Sequence, residues 1–294
     1  MKDPPEGSGG NGADPAPEPV ADPAGESTPG PAGEATPGPT PEATSEALAA
    51  GAQGAQAALP LFYKDPQPLH TARHAGKGLR KPVDYRFAAA AHAVVLHAQE
   101  FRLAAAHYPI VFADEASSMP LAVLGFRDGE NLFVDASGAW AEGTYIPAYI
   151  RRYPFATGRG TKEGEQVLYL DAASGLIVDL DSSPDAEALF ADGQPSERTK
   201  QALAFCIAFG QQAAVTTAFV EAVKARGLLG AKEVRLALPA GGSQLLTGLR
   251  VIEEDKFNAL PDETILEWRR QGWLPLVYWH WASMDNFFRL VRRG

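Results

Sequence analysis

The chain has 294 residues, a net charge of −10 and one cysteine. A lone cysteine excludes an intramolecular disulfide framework, and the charge leaves no basic excess for nucleic acid. Most of the negative charge is local: residues 1–60 carry nine acidic residues against Lys2 alone, so residues 61–294 are only −2.

Residues 1–60 also hold twelve of the 24 prolines and no aromatic residue. Glu26-Ser27-Thr28-Pro29-Gly30-Pro31 and Glu34-Ala35-Thr36-Pro37-Gly38-Pro39 are near copies of one unit. Such a composition buries too little apolar surface to offset ordering entropy, so we expect a disordered, acidic, Pro/Gly/Ala-rich tail. It reads as a tether or solubilising segment, with a Pro-rich ligand for a partner domain as the sharper alternative. Ser45 to Gln56 is alanine-rich and reads as a short frayed helix. The N-terminus lacks a basic stretch followed by an apolar one, and no run of about 18 apolar residues is present. We therefore expect no secretory signal, no transmembrane segment and a cytoplasmic location, with signal-independent export to the surface as the alternative.

Residues 61–294 are enough for a folded domain opening near Leu61-Phe62-Tyr63. His70 and His74 share helical spacing, but Gly76 and Gly78 follow and no HExxH pattern is present. They read as solvated loop histidines, and no metal site is expected. Leu96 to His107 reads as a helix broken by Tyr108-Pro109. Ile110-Val111-Phe112 reads as a strand. Leu121 to Phe126 and Asn131 to Val134 read as a hairpin around Arg127-Asp128-Gly129-Glu130.

The stretch Gly138 to Phe155 concentrates Trp140, Tyr145, Tyr149, Tyr153 and Phe155 with Pro147, Pro154 and the pair Arg151-Arg152. Pro147 suits the first turn of a short helix, Ala148 to Arg152, followed by an extended Tyr153-Pro154-Phe155. Rigid amphipathic side chains at this density mark either a core corner or a recognition surface.

Glu165 to Leu170 and Leu176 to Leu180 read as strands around a turn at residues 171–175. Asp179, Asp181 and Asp185 lack the glycine and terminal glutamate of a calcium loop. Asp185 to Phe190 reads as a helix ended by Asp192-Gly193. Ser196 caps a long helix towards Arg226, with Gly227 beyond it. Its middle, Ala202 to Val223, is apolar on most sides and reads as buried. Cys206 there is a buried small hydrophobe, and Gln211 and Gln212 are polar interruptions that satisfy backbone or line a pocket. Glu233 to Leu238 and Gln244 to Ile252 read as strands. Pro261 opens a helix through Arg270, acidic first and basic last. Leu274 to Leu290 reads as a strongly aromatic terminal docking segment. The expected fold is α+β: short, mostly antiparallel strands around a buried long helix, with C-terminal helices.

The region resembles the bacterial SapC family. The resemblance rests on Glu100-Phe101, Tyr108-Pro109-Ile110-Val111-Phe112, Leu124-Gly125-Phe126, Asn131-Leu132-Phe133-Val134-Asp135 and Gly138-Ala139-Trp140. Its strongest piece is Tyr145-Ile146-Pro147-Ala148-Tyr149-Ile150-Arg151-Arg152-Tyr153-Pro154-Phe155. Phe257-Asn258-Ala259-Leu260, Gly272-Trp273-Leu274 and Ala282-Ser283 add to it. The family takes its name from a surface-layer locus. The resemblance implies an envelope or surface-layer protein or peptide as partner and carries no catalytic assignment.

Two functions lead, with a structural component of a surface lattice as a third that the missing signal and the solubilising tail argue against. One is a non-enzymatic binding or assembly protein, in which Arg151 or Arg152 pairs with a carboxylate while Trp140, Tyr145 and Tyr149 supply rigid area. The other is an enzyme acting on a peptide or amino-acid-like ligand, with Asp135, Glu142, Tyr145, Arg151 and His280 as candidates. No catalytic spacing is present, so the reading leans to the first, without a cofactor.

Overall fold

Prolines and glycines interrupt almost every apolar run after residue 60, and the strands are correspondingly short. A computed structural model describes residues 59–81, 84–114, 116–160, 165–239 and 241–294. The expected tail, with its alanine-rich stretch, lies outside the described residues but for Leu59 and Pro60.

In chain order the strands are β1 (Pro66–Pro68), β2 (Lys77–Leu79), β3 (Ala93–Val95), β4 (Ile110–Phe112) and β5 (Pro120–Val123). β6 (Phe155–Arg159), β7 (Gln166–Asp171), β8 (Ile177–Asp179), β9 (Glu187–Ala188), β10 (Phe190–Ala191) and β11 (Gln194–Pro195) follow. The last two, β12 (Leu229–Ala237) and β13 (Ser243–Ile252), are the longest. Among the described residues they form sheets ordered β12-β13-β4-β5-β3, β1-β7-β6, β8-β2-β9 and β10-β11. Among the described residues the strand pairings are all antiparallel. The fold is thus α+β, with short antiparallel strands, one long helix and C-terminal helices.

The long helix, Glu197–Ala225, is capped by the Ser196 hydroxyl accepting from the Thr199 N–H at 3.2 Å. Gly227 takes φ +61 just beyond its end, a conformation glycine enters without Cβ strain. The helix is not buried all round, as its composition suggests. Thr199, Ala202, Cys206, Phe209, Ala213, Thr216, Phe219, Val220 and Val223 form one buried stripe, while Val215 on the other side is 52% exposed. By length and composition alone this helix could cross a membrane, but its buried stripe ties it to the protein core. Two apolar clusters meet along it. The larger takes Phe209, Phe219, Val220 and Val223, and the smaller takes Ala202 and Cys206 with Tyr63, Tyr153 and Phe155.

Several local expectations change. Asp185 to Phe190 is not a helix: Glu187 and Ala188 pair with Leu79 and Gly78, and Phe190–Ala191 turns through Asp192 and Gly193 into β11. Ladder bonds supplied from distant residues override the local propensity there. Residues 121–134 do not form the expected hairpin. β5 pairs with β4 and β3 instead, and the return segment keeps one backbone bond, Leu132 N–H to Leu124 O at 2.9 Å. β7 and β8 do not pair with each other but join separate sheets. Leu96 to His107 shrinks to a 3-10 turn, Ala98–Glu100, and an α turn, Phe101–Ala104. Arg152 to Pro154 forms a turn with a cis Tyr153–Pro154 bond, and extended structure begins only at Phe155. His74 is buried rather than solvated, its ring closing the turn with His70. The terminal segment divides into Leu274–Ser283 and Asn286–Val291, preceded by Asp262–Gln271, which ends at Gly272 in the left-handed region.

Candidate functional site

The helical turn Ala148–Arg151 is fixed from beneath by a buried carboxylate. Glu100 accepts from the Ala148 N–H at 2.7 Å, the Tyr145 hydroxyl at 2.9 Å and the His97 N–H at 2.9 Å. Burial raises its pKa, and these hydrogen bonds oppose the rise. The Tyr145 hydroxyl in turn accepts from Arg151 Nη2 at 3.0 Å, and Arg151 Nε donates to the Ile146 carbonyl at 2.9 Å. Arg151 is therefore exposed but aimed, its guanidinium 5.4 Å from the Tyr145 ring centroid and 5.2 Å from that of Phe205.

Arg152, one residue on, is buried at the seam between the two apolar clusters. It is 6% exposed. Its guanidinium lies 4.3 Å from the Tyr149 ring centroid, 4.4 Å from Phe209 and 5.6 Å from Tyr63. Its Nε and Nη2 have no hydrogen-bond partner among the described residues. Arginine stays protonated at any ordinary pH, so this is a buried, incompletely paired cation. Contact with ring faces returns about 0.5–2 kcal/mol each, against a desolvation penalty of several kcal/mol.

Both arginines line a cavity of about 270 Å³ with Phe155, Arg198, Gln201, Ala202, Phe205 and Cys206. Arg198 sits in the first turn of the long helix, 3.2 Å from a Glu187 oxygen. Its Nε–H is not aligned on that oxygen, so the pair is electrostatic rather than a directed bond. Burial pushes the Cys206 thiol up to about 11, with the Arg152 charge opposing it, so the thiol keeps its proton. Among the described residues the lining thus presents three arginines and no carboxylate.

The predicted site residues do not play one role. Arg151 and Arg152 line the cavity. Tyr149 lies under Arg152, with its hydroxyl donating to the Leu61 carbonyl at 3.3 Å. Tyr145 anchors Arg151. Trp140 lies apart, stacked 6.0 Å from Phe133 and edge-on 5.7 Å from Tyr85. Of the enzyme candidates, Arg151 lines the cavity and Tyr145 anchors that arginine, while Asp135, Glu142 and His280 are not among the lining residues. Asp135 closes a turn by accepting from the N–H groups of Ser137 and Ala139, Glu142 is exposed, and His280 braces the core. Among the described residues no group of three or more His, Cys, Asp or Glu side chains is placed to hold a metal.

Arg198, Gln201 and Phe205 were not legible as site residues, because they are brought to the arginine pair by tertiary packing. Their one local signal is the face they share with Cys206 over the first turns of the helix. Glu100 carried a signal only through its place in the familial Glu100-Phe101 pair.

The SapC family model matches residues 69–290. No curated protein and no solved structure matches the chain. The match spans most of the chain, from Leu69 at the foot of the first turn to Leu290 in the last helix, and the protein belongs to the SapC family.

Proposed function

We propose that this is a non-enzymatic binding protein whose cavity captures an anionic group of a peptide or protein partner. The observation that carries the reading is Arg152: a cation at 6% exposure with two N–H-bearing nitrogens unpaired and no lining carboxylate. An anion entering the cavity supplies the missing acceptors, and charge-assisted bonds to guanidinium are among the strongest side-chain contacts. Arg151, held by Tyr145 and Ile146, is positioned beforehand, so little ordering cost remains for it. The lining offers no activated nucleophile, since its thiol is protonated. That favours capture over turnover. The partner class, an envelope or surface-layer protein or peptide, rests on the family's name.

Calorimetric titration of the whole chain with acetylated peptides, bearing a free C-terminal carboxylate or an amide, tests the reading alongside inorganic phosphate. Saturable binding of an anionic probe that disappears in Arg152→Met supports it. No saturable binding by any anion, or equal binding of the amidated peptide, overturns it.

A further inference from the structure

Resting on that reading, we infer that the cavity is built for a dianion, and that its natural ligand carries a phosphomonoester group rather than a lone carboxylate. The inference comes from the charge around the cavity, counted outward from its lining. Arg151, Arg152 and Arg198 contribute three positive charges and the lining no negative one. Two carboxylates lie behind it. Glu187 faces Arg198 at 3.2 Å but also pairs with Lys81 at 2.5 Å. Glu100 reaches Arg151 only through the Tyr145 hydroxyl. With both carboxylates and Lys81 included, two positive charges remain. A monocarboxylate would leave one of them without a counter-charge, whereas a dianion would match both.

Geometry agrees with charge. The three guanidiniums come from two elements, Arg151 and Arg152 from one turn and Arg198 from the start of the long helix. Two separate elements thus supply the donors. A planar carboxylate is satisfied by one bidentate fork, whereas a tetrahedral phosphate offers three terminal oxygens to converging donors. The unpaired Nε and Nη2 of Arg152 are buried, with its guanidinium among Tyr63, Tyr149 and Phe209. The more exposed Arg151 and Arg198 stand nearer solvent.

The test uses the second ionisation of the ligand. A phosphomonoester has its second pKa near 6, so its dianion rises from about a tenth to about nine-tenths between pH 5 and pH 7. Glu100, whose pKa burial raises, is the group behind the cavity that moves towards that window. His97, packed on Phe209, is held down at about 4 by burial and by the Arg152 charge. The Cys206 thiol is up at about 11 and the hydroxyls of Tyr63 and Tyr149 are raised, in each case chiefly by burial. The carboxylates facing the cavity cations are Glu187 and Glu100, and acetate measured over the same range reports any change on the protein side.

Titration of the whole chain with methyl phosphate and with acetate, at pH 5 and pH 7 and constant ionic strength, gives the reading. We expect methyl phosphate to tighten roughly tenfold from pH 5 to pH 7, following its dianion fraction, and acetate to bind more weakly with no such gain. Arg198→Gln is expected to weaken methyl phosphate about tenfold and acetate by less. A phosphoserine peptide and glycerol 3-phosphate, measured in parallel, separate a peptide-borne group from a small free ester by which binds tighter. Acetate binding as tightly as methyl phosphate, or a phosphate affinity unchanged between the two pH values, overturns the dianion inference while leaving the capture reading intact. Binding of neither overturns both.

Discussion

His280 and Arg152 are both buried, at 0% and 6% exposure, yet the fold treats them in opposite ways. The His280 ring joins two strands of the largest sheet. Its Nε2 accepts from the Ile252 N–H at 3.1 Å, and its Nδ1 lies 2.7 Å from the Ile110 carbonyl, to which it donates. Both nitrogens are used, and the tautomer is fixed by its neighbours. Arg152 lies against aromatic faces with two nitrogens unused and a cavity in front of it. A saturated buried group reads as structure, whereas an unsaturated buried charge beside a cavity is the ground for the proposed capture of an anion.

The contrast can be broken first at the histidine. His280→Leu leaves the Ile252 N–H and the Ile110 carbonyl buried without partners, at about 1–3 kcal/mol each. Urea unfolding should therefore show a loss of about 2–5 kcal/mol, and a loss below about 1 kcal/mol would mean that the ring is not the brace described.

Acid probes the same difference. His280 and His97 are both lowered to about 4, chiefly by burial. Each is kept neutral in the folded state and charges more readily once unfolded. Their contribution is whole above about 6.5 and is lost as pH falls towards 4, on the order of 3 kcal/mol each. Glu100 acts in the opposite sense, because its raised pKa favours protonation in the folded state and recovers some stability on acidification. Denaturant midpoints should thus fall between pH 6.5 and pH 4, and a flat profile over that range contradicts the assigned burial of the two rings.

The smallest expected effect is at Arg151. Arg151→Ala removes an exposed side chain bonded to Ile146 and Tyr145. Stability should change by less than about 1 kcal/mol, while anion affinity falls several-fold. Unfolding of the variant would assign Arg151 to the scaffold.

Elements with local signals were legible in the sequence. Ser196 and Gly227 bracket the long helix within two residues of its ends, and the strands expected at Glu233 to Leu238 and Gln244 to Ile252 form the β12–β13 pair, which begins four residues earlier, at Leu229. Elements that exist only through distant partners were not. β9 is two residues long and depends on Gly78 and Leu79 more than a hundred positions earlier. The site divides in the same way. Arg151 and Arg152 stand out in the aromatic stretch, but their unequal burial, the link through Glu100 and the arrival of Arg198 are products of packing. The one-sided burial of the long helix was also hidden. Alanine, valine and threonine fill its outer face as well as its inner one, so composition alone could not tell the two apart.

Thermal unfolding of the native chain and of Arg152→Met, each with and without saturating methyl phosphate at matched ionic strength, tests the central claim most directly. Exchange of a buried cation for an apolar side chain of similar reach should leave the unliganded protein as stable as before or more so. The anion should raise the melting temperature of the native chain alone. An equal rise in both proteins, or collapse of Arg152→Met in the absence of anion, would contradict an anion seat at Arg152.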